Sequence, residues 1–141
     1  DIKKFMQKLK NDKVNFCKGT RFSNKKERSK IPFIRFFGNI ILTKLTKFNC
    51  RNENLTDVVN GFLGIKKKLL KKLNLSLISS DFFFEEDLLF NISLHEKKIY
   101  EVPIKTTYNQ KSNLNPVKTI IPFLFKHAKN SLIRLKYELS K

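Results

Sequence analysis

The acidic side chains of this sequence cluster in one place, the run Glu85-Glu86-Asp87. A carboxylate can act as a general base only where it reaches the proton that it removes. The run follows three phenylalanines, which we predict to form a short strand over residues 82–84, and it leads into an apolar pattern that favours a helix. Three acids in the first turn of a helix interact favourably with the positive end of its dipole. Both a chemical and a structural role therefore fit this run.

The remaining side chains that could bind metal or act as nucleophiles are isolated from one another. Cys17 and Cys50 lack the CxxC spacing of a metal or redox motif, and two cysteines do not make a disulfide framework. We therefore expect two reduced thiols. His95 and His127 have no partners at metal-ligand spacing, so the sequence predicts no metal site within this chain.

The chain is strongly basic, with 30 Lys and Arg against 12 Asp and Glu and a formal net charge of +18. Such a charge attracts polyanions: nucleic acid, anionic lipid headgroups or a phosphorylated substrate. The abundance of Lys, Asn, Ile and Phe is also the residue bias of an AT-rich genome, which explains the excess charge equally well. Charge alone therefore does not select a partner.

Length and hydrophobicity predict one folded domain. A chain of 141 residues supports one modest core, and 40% hydrophobic residues with 14 Phe exceed what a disordered segment carries. The first residues, from Asp1 onward, resemble the entry to a helix, so we expect the chain to begin inside a larger protein. The most apolar segment, residues 120–135, is interrupted by charged residues and is too polar to span a membrane.

Hydrophobic periodicity predicts an alternation of helices and strands. We expect helices over residues 2–10, from Pro32 to about Asn49, over 66–73 and after Asp87, and strands over 14–17, 82–84 and 99–108. Residues 23–30 are polar without periodicity and predict a mobile loop. The apolar face of the helix after Pro32 is expected to pack against the domain, with lipid as the alternative.

The last 26 residues are expected to form a basic amphipathic helix, residues 116–141, which could lie on a membrane surface. One apolar stripe runs along it, made of Ile121, Phe125, Ala128, Leu132, Leu135 and Leu139. Residues 1–115 would form the main domain. The alternation of elements predicts an α/β fold with a small mixed sheet and flanking helices.

Five short motifs occur in the order found in the second half of family-2 glycosyltransferases that act on polyprenyl phosphates. They are Gly19-Thr20-Arg21-Phe22, Arg35-Phe36-Phe37-Gly38-Asn39, Asp57-Val58-Val59-Asn60-Gly61-Phe62, Phe82-Phe83-Phe84-Glu85-Glu86-Asp87-Leu88-Leu89 and Tyr100-Glu101-Val102-Pro103-Ile104. Each motif alone is weak, but five in order are more specific. The chain therefore resembles the dolichyl-phosphate-mannose-synthase-like members of that family.

The resemblance implies an incomplete GT-A-type fold. In the family, an amino-terminal half binds a nucleotide sugar and carries an Asp-x-Asp motif that holds Mg²⁺ or Mn²⁺. That motif would precede the segment corresponding to Ile2–Leu9, so the metal ligands and most of the nucleotide pocket are expected outside this chain. The fragment is expected to be inactive alone, and the implied location is the cytoplasmic face of a membrane.

The resemblance also implies a set of site residues on the acceptor side. Arg21 and Arg35 match family arginines that bind phosphate, whose oxygens suit a guanidinium fork; the alternative is two ordinary surface arginines. Asp57 matches an acid that lines the acceptor pocket, although the residue pattern alone would make it a helix cap.

Two further positions follow from the same resemblance. Glu86 and Asp87 match a pair whose carboxylate acts as a base when the acceptor is a hydroxyl, whereas a lipid-phosphate acceptor needs no base. Lys111 and Ser112 match a loop that closes over the diphosphate, although this sequence lacks the Gly that usually precedes the Ser.

The resemblance therefore implies an inverting transfer of a sugar from a nucleotide sugar to a polyprenyl phosphate or another membrane-bound acceptor. The alternative is a non-enzymatic basic module that binds nucleic acid or a membrane surface, as charge and aromatic content allow. Nucleic acid is the disfavoured partner, because the sequence has no zinc-finger or RNP-type signature.

Overall fold

The computed structural model describes residues 1–105 and 116–140. Six helices and three strands lie in these ranges. In chain order they are α1 Ile2–Lys10, β1 Phe16–Thr20, α2 Lys25–Arg28, α3 Phe33–Cys50, β2 Leu63–Ile65, α4 Lys67–Leu70, α5 Phe84–His95, β3 Tyr100–Pro103 and α6 Pro116–Leu139, with one 3₁₀ turn at Leu75–Leu77.

The three strands form one mixed sheet in the order β2-β1-β3. Strand β1 is central, antiparallel to β2 and parallel to β3, with Cys17 opposite Gly64 on one side and Tyr100 on the other. The predicted α/β class is confirmed. The ladder of β3 covers residues 100–103 of the strand predicted at 99–108, and residues 106–108 lie outside the described ranges.

Apolar residues cover both faces of the sheet. Phe16 and Cys17 are neighbours on β1 and therefore point to opposite faces. Phe16 belongs to the larger core cluster, formed mainly with α5 and the segments around residues 55–58 and 69–73. Cys17 packs with Phe5 of α1 in the smaller cluster. Helix α1 thus packs on one face of the sheet. The cluster on the other face contains residues of α5 and Cys50 of α3.

Two local predictions were wrong. Residues 82–84 do not form a strand; Asp81 caps the turn by accepting a hydrogen bond from the backbone N–H of Phe83 at 2.8 Å, and α5 begins at Phe84. The polar run predicted as a mobile loop contains the single-turn helix α2, which is capped by Asn24. Capping and a buried Glu27 bonded to Lys30 stabilise that turn where hydrophobic periodicity is lacking.

Helices α3 and α6 turn their apolar faces outward. On α3 the buried residues are Asn39, Thr43, Thr46, Asn49 and Cys50. Its exposed face carries large apolar side chains, including Phe33 at 80% exposure. The expectation that this apolar face packs against the domain was therefore wrong. The apolar stripe of α6 is likewise exposed, at Ile121, Phe125, Leu132, Leu135 and Leu139 among others.

Polar side chains join α3, α5 and α6, and we call this contact the polar seam. The amide of Asn49 donates to the carbonyl of His127 at 3.1 Å and accepts from the hydroxyl of Ser131 at 2.6 Å. Arg134 Nε donates to the Asn49 carbonyl at 2.9 Å, and its Nη2 donates to Ser93 of α5. Buried polar groups are tolerated because they are paired in this way. No helix in the described residues is long and apolar enough to span a membrane.

Two glycines make a matched pair for a stability test. A Cβ at Gly64 of β2 would lie 3.0 Å from Leu9 and 3.1 Å from Phe5, whereas one at Gly38 of α3 would meet nothing within 4 Å. We expect Gly64→Ala to lower the free energy of unfolding by about 1–3 kcal/mol through overpacking. Gly38→Ala should raise it by about 0.5–1 kcal/mol, because alanine favours a helix interior. Urea unfolding of both variants checks the two signs, and equal effects would contradict this packing.

Candidate functional site

The candidate site is built around an ion pair at the end of the central strand. Arg21 directly follows β1. Its side chain donates two hydrogen bonds to Asp57, from Nε to Oδ2 and from Nη2 to Oδ1, each at 2.7 Å. The backbone N–H of Arg21 also donates to Asp57 Oδ2 at 3.0 Å. Asp57 is completely buried. A bidentate, buried pair of this kind fixes the plane of the guanidinium group.

Helix α3 is bound to the same pair. The amide of Asn39 donates to Asp57 Oδ1 at 2.6 Å and accepts from the hydroxyl of Thr43 at 3.1 Å. The rings of Phe22 and Phe36 stack with centroids 5.4 Å apart, which brings the start of α3 against the segment after β1. Arg35 lies one helical turn before Asn39 and therefore on the same side of α3. The role of Arg35 in binding phosphate stays a prediction.

Asp57 remains ionised in this setting. Burial alone would raise the pKa of Asp57, but the bonds and positive charge of Arg21, together with the Asn39 amide, outweigh burial and hold the pKa below its ordinary value. The carboxylate is therefore a fixed anion that orients Arg21. The helix-cap interpretation of Asp57 was wrong, since the residue precedes no helix and sits in the turn before β2.

Strand β3 holds the loop that carries Asp57. The carboxylate of Glu101 accepts hydrogen bonds from the backbone N–H of Thr56 at 2.6 Å, from the Thr56 hydroxyl at 2.5 Å and from the backbone N–H of Asp57 at 3.3 Å. The Thr56 and Thr20 hydroxyls lie 2.7 Å apart. Burial raises the pKa of Glu101, and these donors oppose that shift. Glu101 is therefore a loop anchor.

Strand β1 holds the following turn, residues 60–62, by two hydrogen bonds. The ammonium group of Lys18, a fully buried side chain of that strand, donates to the carbonyl of Asn60. The backbone N–H of Gly19 donates to the carbonyl of Phe62 at 2.8 Å. A Cβ at Gly61 would lie 3.0 Å from Glu85 Oε1, so this carboxylate rests directly against the turn. The first turn of α5 therefore approaches the loop closely at Gly61.

Glu86 is a buried acid with one oxygen that lacks a partner. The residue is 3% exposed, and among the described residues Oε2 has no hydrogen-bond partner. Burial, reinforced by the charges of Glu85 and Asp87, raises the pKa of Glu86 to about 8. Burial also lowers the pKa of nearby Lys18 to about 8. Glu86 is therefore largely protonated at neutral pH and poised to titrate there.

The Asp87 carboxylate contacts Ser79 and two residues of α6. It accepts hydrogen bonds from the backbone N–H of Ser79 at 3.1 Å and from the amide of Asn130 at 3.3 Å, and Lys126 Nζ lies 3.4 Å from Oδ2. In this structure Asp87 therefore joins α5 to the preceding segment and to α6. Its role as a base stays a prediction.

The structure brings segments of all five motifs together. Arg21, Asn39, Asp57 and Glu101 come from four motifs and lie in one network, and Glu85 of the fifth touches the 60–62 turn. Lys111 and Ser112 lie outside the described residues. Sequence analysis missed the roles of Asn39, Glu101 and Lys18. A lysine inside an apolar strand was the one available signal for Lys18.

The described residues include no group of three or more His, Cys, Asp or Glu side chains that could hold a metal ion. Three acids near the site are committed to other contacts: Asp57 to Arg21, Glu101 to Thr56 and Asp87 to Ser79. These residues do not fit the divalent metal that the resemblance implies. We therefore derive no step through such a metal in this chain.

Comparison with known proteins gives one informative similarity. The chain is 30% identical over 123 residues to UDP-N-acetylglucosamine–dolichyl-phosphate N-acetylglucosaminyltransferase of Methanococcus voltae. The match covers 87% of this chain and 49% of that protein, so the chain spans about half the length of its curated relative. No family model matches the chain, and no solved structure matches it. The similarity supports a relationship to dolichyl-phosphate glycosyltransferases.

The burial of Glu86 predicts a pH-dependent stability. A carboxyl group whose folded-state pKa is raised stabilises the fold fully below its unfolded pKa, and this contribution is lost as pH rises through the folded pKa. For Glu86 the window runs from the ordinary glutamate pKa of 4.5 to the raised pKa of about 8. Glu86→Gln removes the titration. We measure the free energy of unfolding of both proteins in urea at pH 5, 6.5 and 8. The value of the variant minus that of the wild type should become more positive as pH rises, because only the wild type loses the contribution of Glu86. A constant difference would contradict a buried, titrating Glu86.

Proposed function

We propose that this chain is the acceptor-side part of a glycosyltransferase that moves a sugar from a nucleotide sugar to a polyprenyl phosphate. The observation that carries the proposal is the convergence of four of the five motifs on the Arg21–Asp57 pair, with Glu85 of the fifth against the adjacent 60–62 turn. Residues up to 80 positions apart meet there, from Arg21 to Glu101, through direct hydrogen bonds. The similarity to a dolichyl-phosphate glycosyltransferase gives this network its chemical context.

Arginine is suited to the proposed acceptor. Its planar fork matches the oxygens of a phosphate group, and it keeps its charge at any physiological pH. Asp57 holds the Arg21 guanidinium in one orientation, which lowers the entropy lost on phosphate binding. Arg35, on the same side of α3 as Asn39, is the second arginine in our proposed phosphate site. Lys111 and Ser112, which follow β3 in the sequence, are proposed to contribute as well.

The proposed reaction is a single displacement with inversion. An oxygen of the polyprenyl phosphate attacks the anomeric carbon, a new C–O bond forms, and the bond to the nucleoside diphosphate breaks. The leaving group takes the electron pair as a diphosphate anion. Because a phosphate dianion attacks without losing a proton, Glu86 and Asp87 are not required as bases for this acceptor. A hydroxyl acceptor would need one of them.

The remaining parts of the catalytic centre are proposed to lie in an amino-terminal half. That half would bind the nucleotide sugar and a divalent metal, Mg²⁺ or Mn²⁺, through the Asp-x-Asp motif that the resemblance implies. The relative is about twice as long as the match, which agrees with this division. On this view the chain alone binds acceptor but does not transfer sugar.

The exposed apolar faces of α3 and α6 favour a membrane surface as the location. Phe33, Ile34 and Phe37 project from α3, and α6 adds its apolar stripe. Large exposed apolar faces with flanking lysines suit the interface between lipid headgroups and acyl chains. We propose the cytoplasmic face, where anionic lipids attract a chain of +18. Nucleic acid does not account for these apolar faces.

Binding of the acceptor phosphate can be measured with the chain alone. We expect the chain to bind vesicles that contain a polyprenyl phosphate more tightly than vesicles that contain the corresponding polyprenol. Arg35→Gln should weaken the phosphate-dependent part about tenfold or more, because a charged hydrogen bond contributes on the order of 1.5–3 kcal/mol.

Arg28→Gln is the matched control, since Arg28 lies exposed on α2. It removes the same charge and should leave the preference for phosphate unchanged. Equal loss in both variants would reduce the binding to general electrostatics. Equal binding of the two vesicle types by the wild type would overturn the proposed phosphate site.

The type of acceptor can be decided with the acids of α5. In a protein that joins this chain to a nucleotide-sugar-binding half, we expect Asp87→Asn and Glu86→Gln to keep sugar transfer to polyprenyl phosphate within about tenfold of wild type. A loss of roughly 10² to 10⁴ at unchanged melting temperature would instead identify a hydroxyl acceptor and a base. Initial rates with the two acceptor classes provide the measurement.

A further inference from the structure

Helix α6 packs against the segment that leads into α5. The ring of Phe123 packs on the ring of Phe83 with centroids 3.7 Å apart. Lys126 Nζ lies 4.6 Å from the centre of the Phe83 ring and donates to the hydroxyl of Ser79. Lys126 Nζ also lies 3.7 Å from Asp81 Oδ1. We call Phe123, Lys126 and Asn130 the α6 clamp.

Two residues of the α6 clamp also contact Asp87 in the first turn of α5. Asn130 donates to Asp87 Oδ1 at 3.3 Å, and Lys126 Nζ lies 3.4 Å from Asp87 Oδ2. The same Oδ2 accepts from the backbone N–H of Ser79 at 3.1 Å and from its hydroxyl. Asp87 and Ser79 are thereby tied to each other and to α6.

Glu85 and Glu86 lie in the sequence between two residues that contact α6. Phe83 precedes Glu85 and Glu86 in the chain, and Asp87 follows them. Since a helical turn fixes the directions of its side chains, holding residues 83 and 87 also fixes Glu85 against the 60–62 turn and Glu86 in its buried site. Asp87 is thereby an anchor for its neighbours.

We propose that Lys126 and Phe123 are positioning residues that keep Glu85 and Glu86 in place at the candidate site. The inference rests on the proposed function for its chemical meaning. Helix α6 therefore has two separate faces. The outer face is apolar and exposed, and the inner face carries the clamp that positions Glu85 and Glu86. Detachment of α6 would therefore displace the acids of α5 while leaving the Arg21–Asp57 pair intact.

Charge supports the same role for Lys126. The charged groups around Glu86 are Glu85 and Asp87 on α5, Lys18 on β1 and Lys126 on α6. Burial and the two acids raise the pKa of Glu86, and the two lysines oppose that shift. Loss of the Lys126 charge should therefore move the titration of Glu86 to higher pH.

Hydrogen exchange of the 141-residue chain tests the clamp. In Lys126→Met, amides of residues 79–87 should exchange about tenfold faster or more, because a charged hydrogen bond that closes this segment is lost. Lys126→Arg should restore protection. Lys129→Met is the matched control, since Lys129 lies exposed on the outer side of α6 and should change nothing. Phe123→Leu offers a milder second variant if Lys126→Met does not fold.

Carbon-13 NMR of the glutamate side-chain carboxyls gives the second readout, with Glu86 assigned by its absence in Glu86→Gln. The midpoint of the Glu86 titration should rise in Lys126→Met and stay at the wild-type value in Lys129→Met. Unchanged exchange at residues 79–87, or equally faster exchange throughout the chain, would overturn the inference. Neither readout depends on phosphate binding or sugar transfer, so equal binding of polyprenyl-phosphate and polyprenol vesicles would overturn the proposed function separately.

Discussion

The buried Arg21–Asp57 pair is the interaction on which the site depends. Asp57 is completely buried, and it touches β1 through Arg21, α3 through Asn39 and β3 through the Glu101 anchor of its own loop. Removal of one partner from a buried pair leaves the other charge unpaired and typically costs about 3–5 kcal/mol. The pair therefore acts as a joint between elements that are distant in the sequence. Its directional bonds also specify how α3 sits on the sheet.

That joint explains how α3 can bury polar residues and expose phenylalanines. A helix that packed by apolar contact alone would turn Phe33 and Phe37 inward. Here Asn39 is bound to Asp57, and Asn49 is bound into the polar seam with α6. Hydrogen bonds at two points along one side fix the rotation of the helix about its axis. The apolar side of α3 is then left exposed.

The fold class and most helices followed from hydrophobic periodicity, because that pattern reports which residues can share a face. The orientation of α3 and α6 did not follow, since periodicity identifies an apolar face without saying whether protein or lipid covers it. The prediction of a strand at residues 82–84 was wrong for a local reason. Three aromatic residues favour a strand, but Asp81 caps a turn at Phe83, and α5 begins at Phe84 with three acids in its first turn. The acidic run at the start of a helix was predicted correctly.

The polar seam also influences how the molecule responds to temperature. Burial of apolar surface weakens as a protein is cooled, because its free energy carries a large heat-capacity change. Polar surface contributes to heat capacity with the opposite sign. Asn49, Ser131 and Arg134 attach α6 by hydrogen bonds, which lack the apolar contribution that fades in the cold, whereas Phe123 and Ile133 attach it by apolar contacts. Cooling should therefore weaken the apolar contacts of α6 and of the two clusters around the sheet more than the hydrogen bonds of the polar seam.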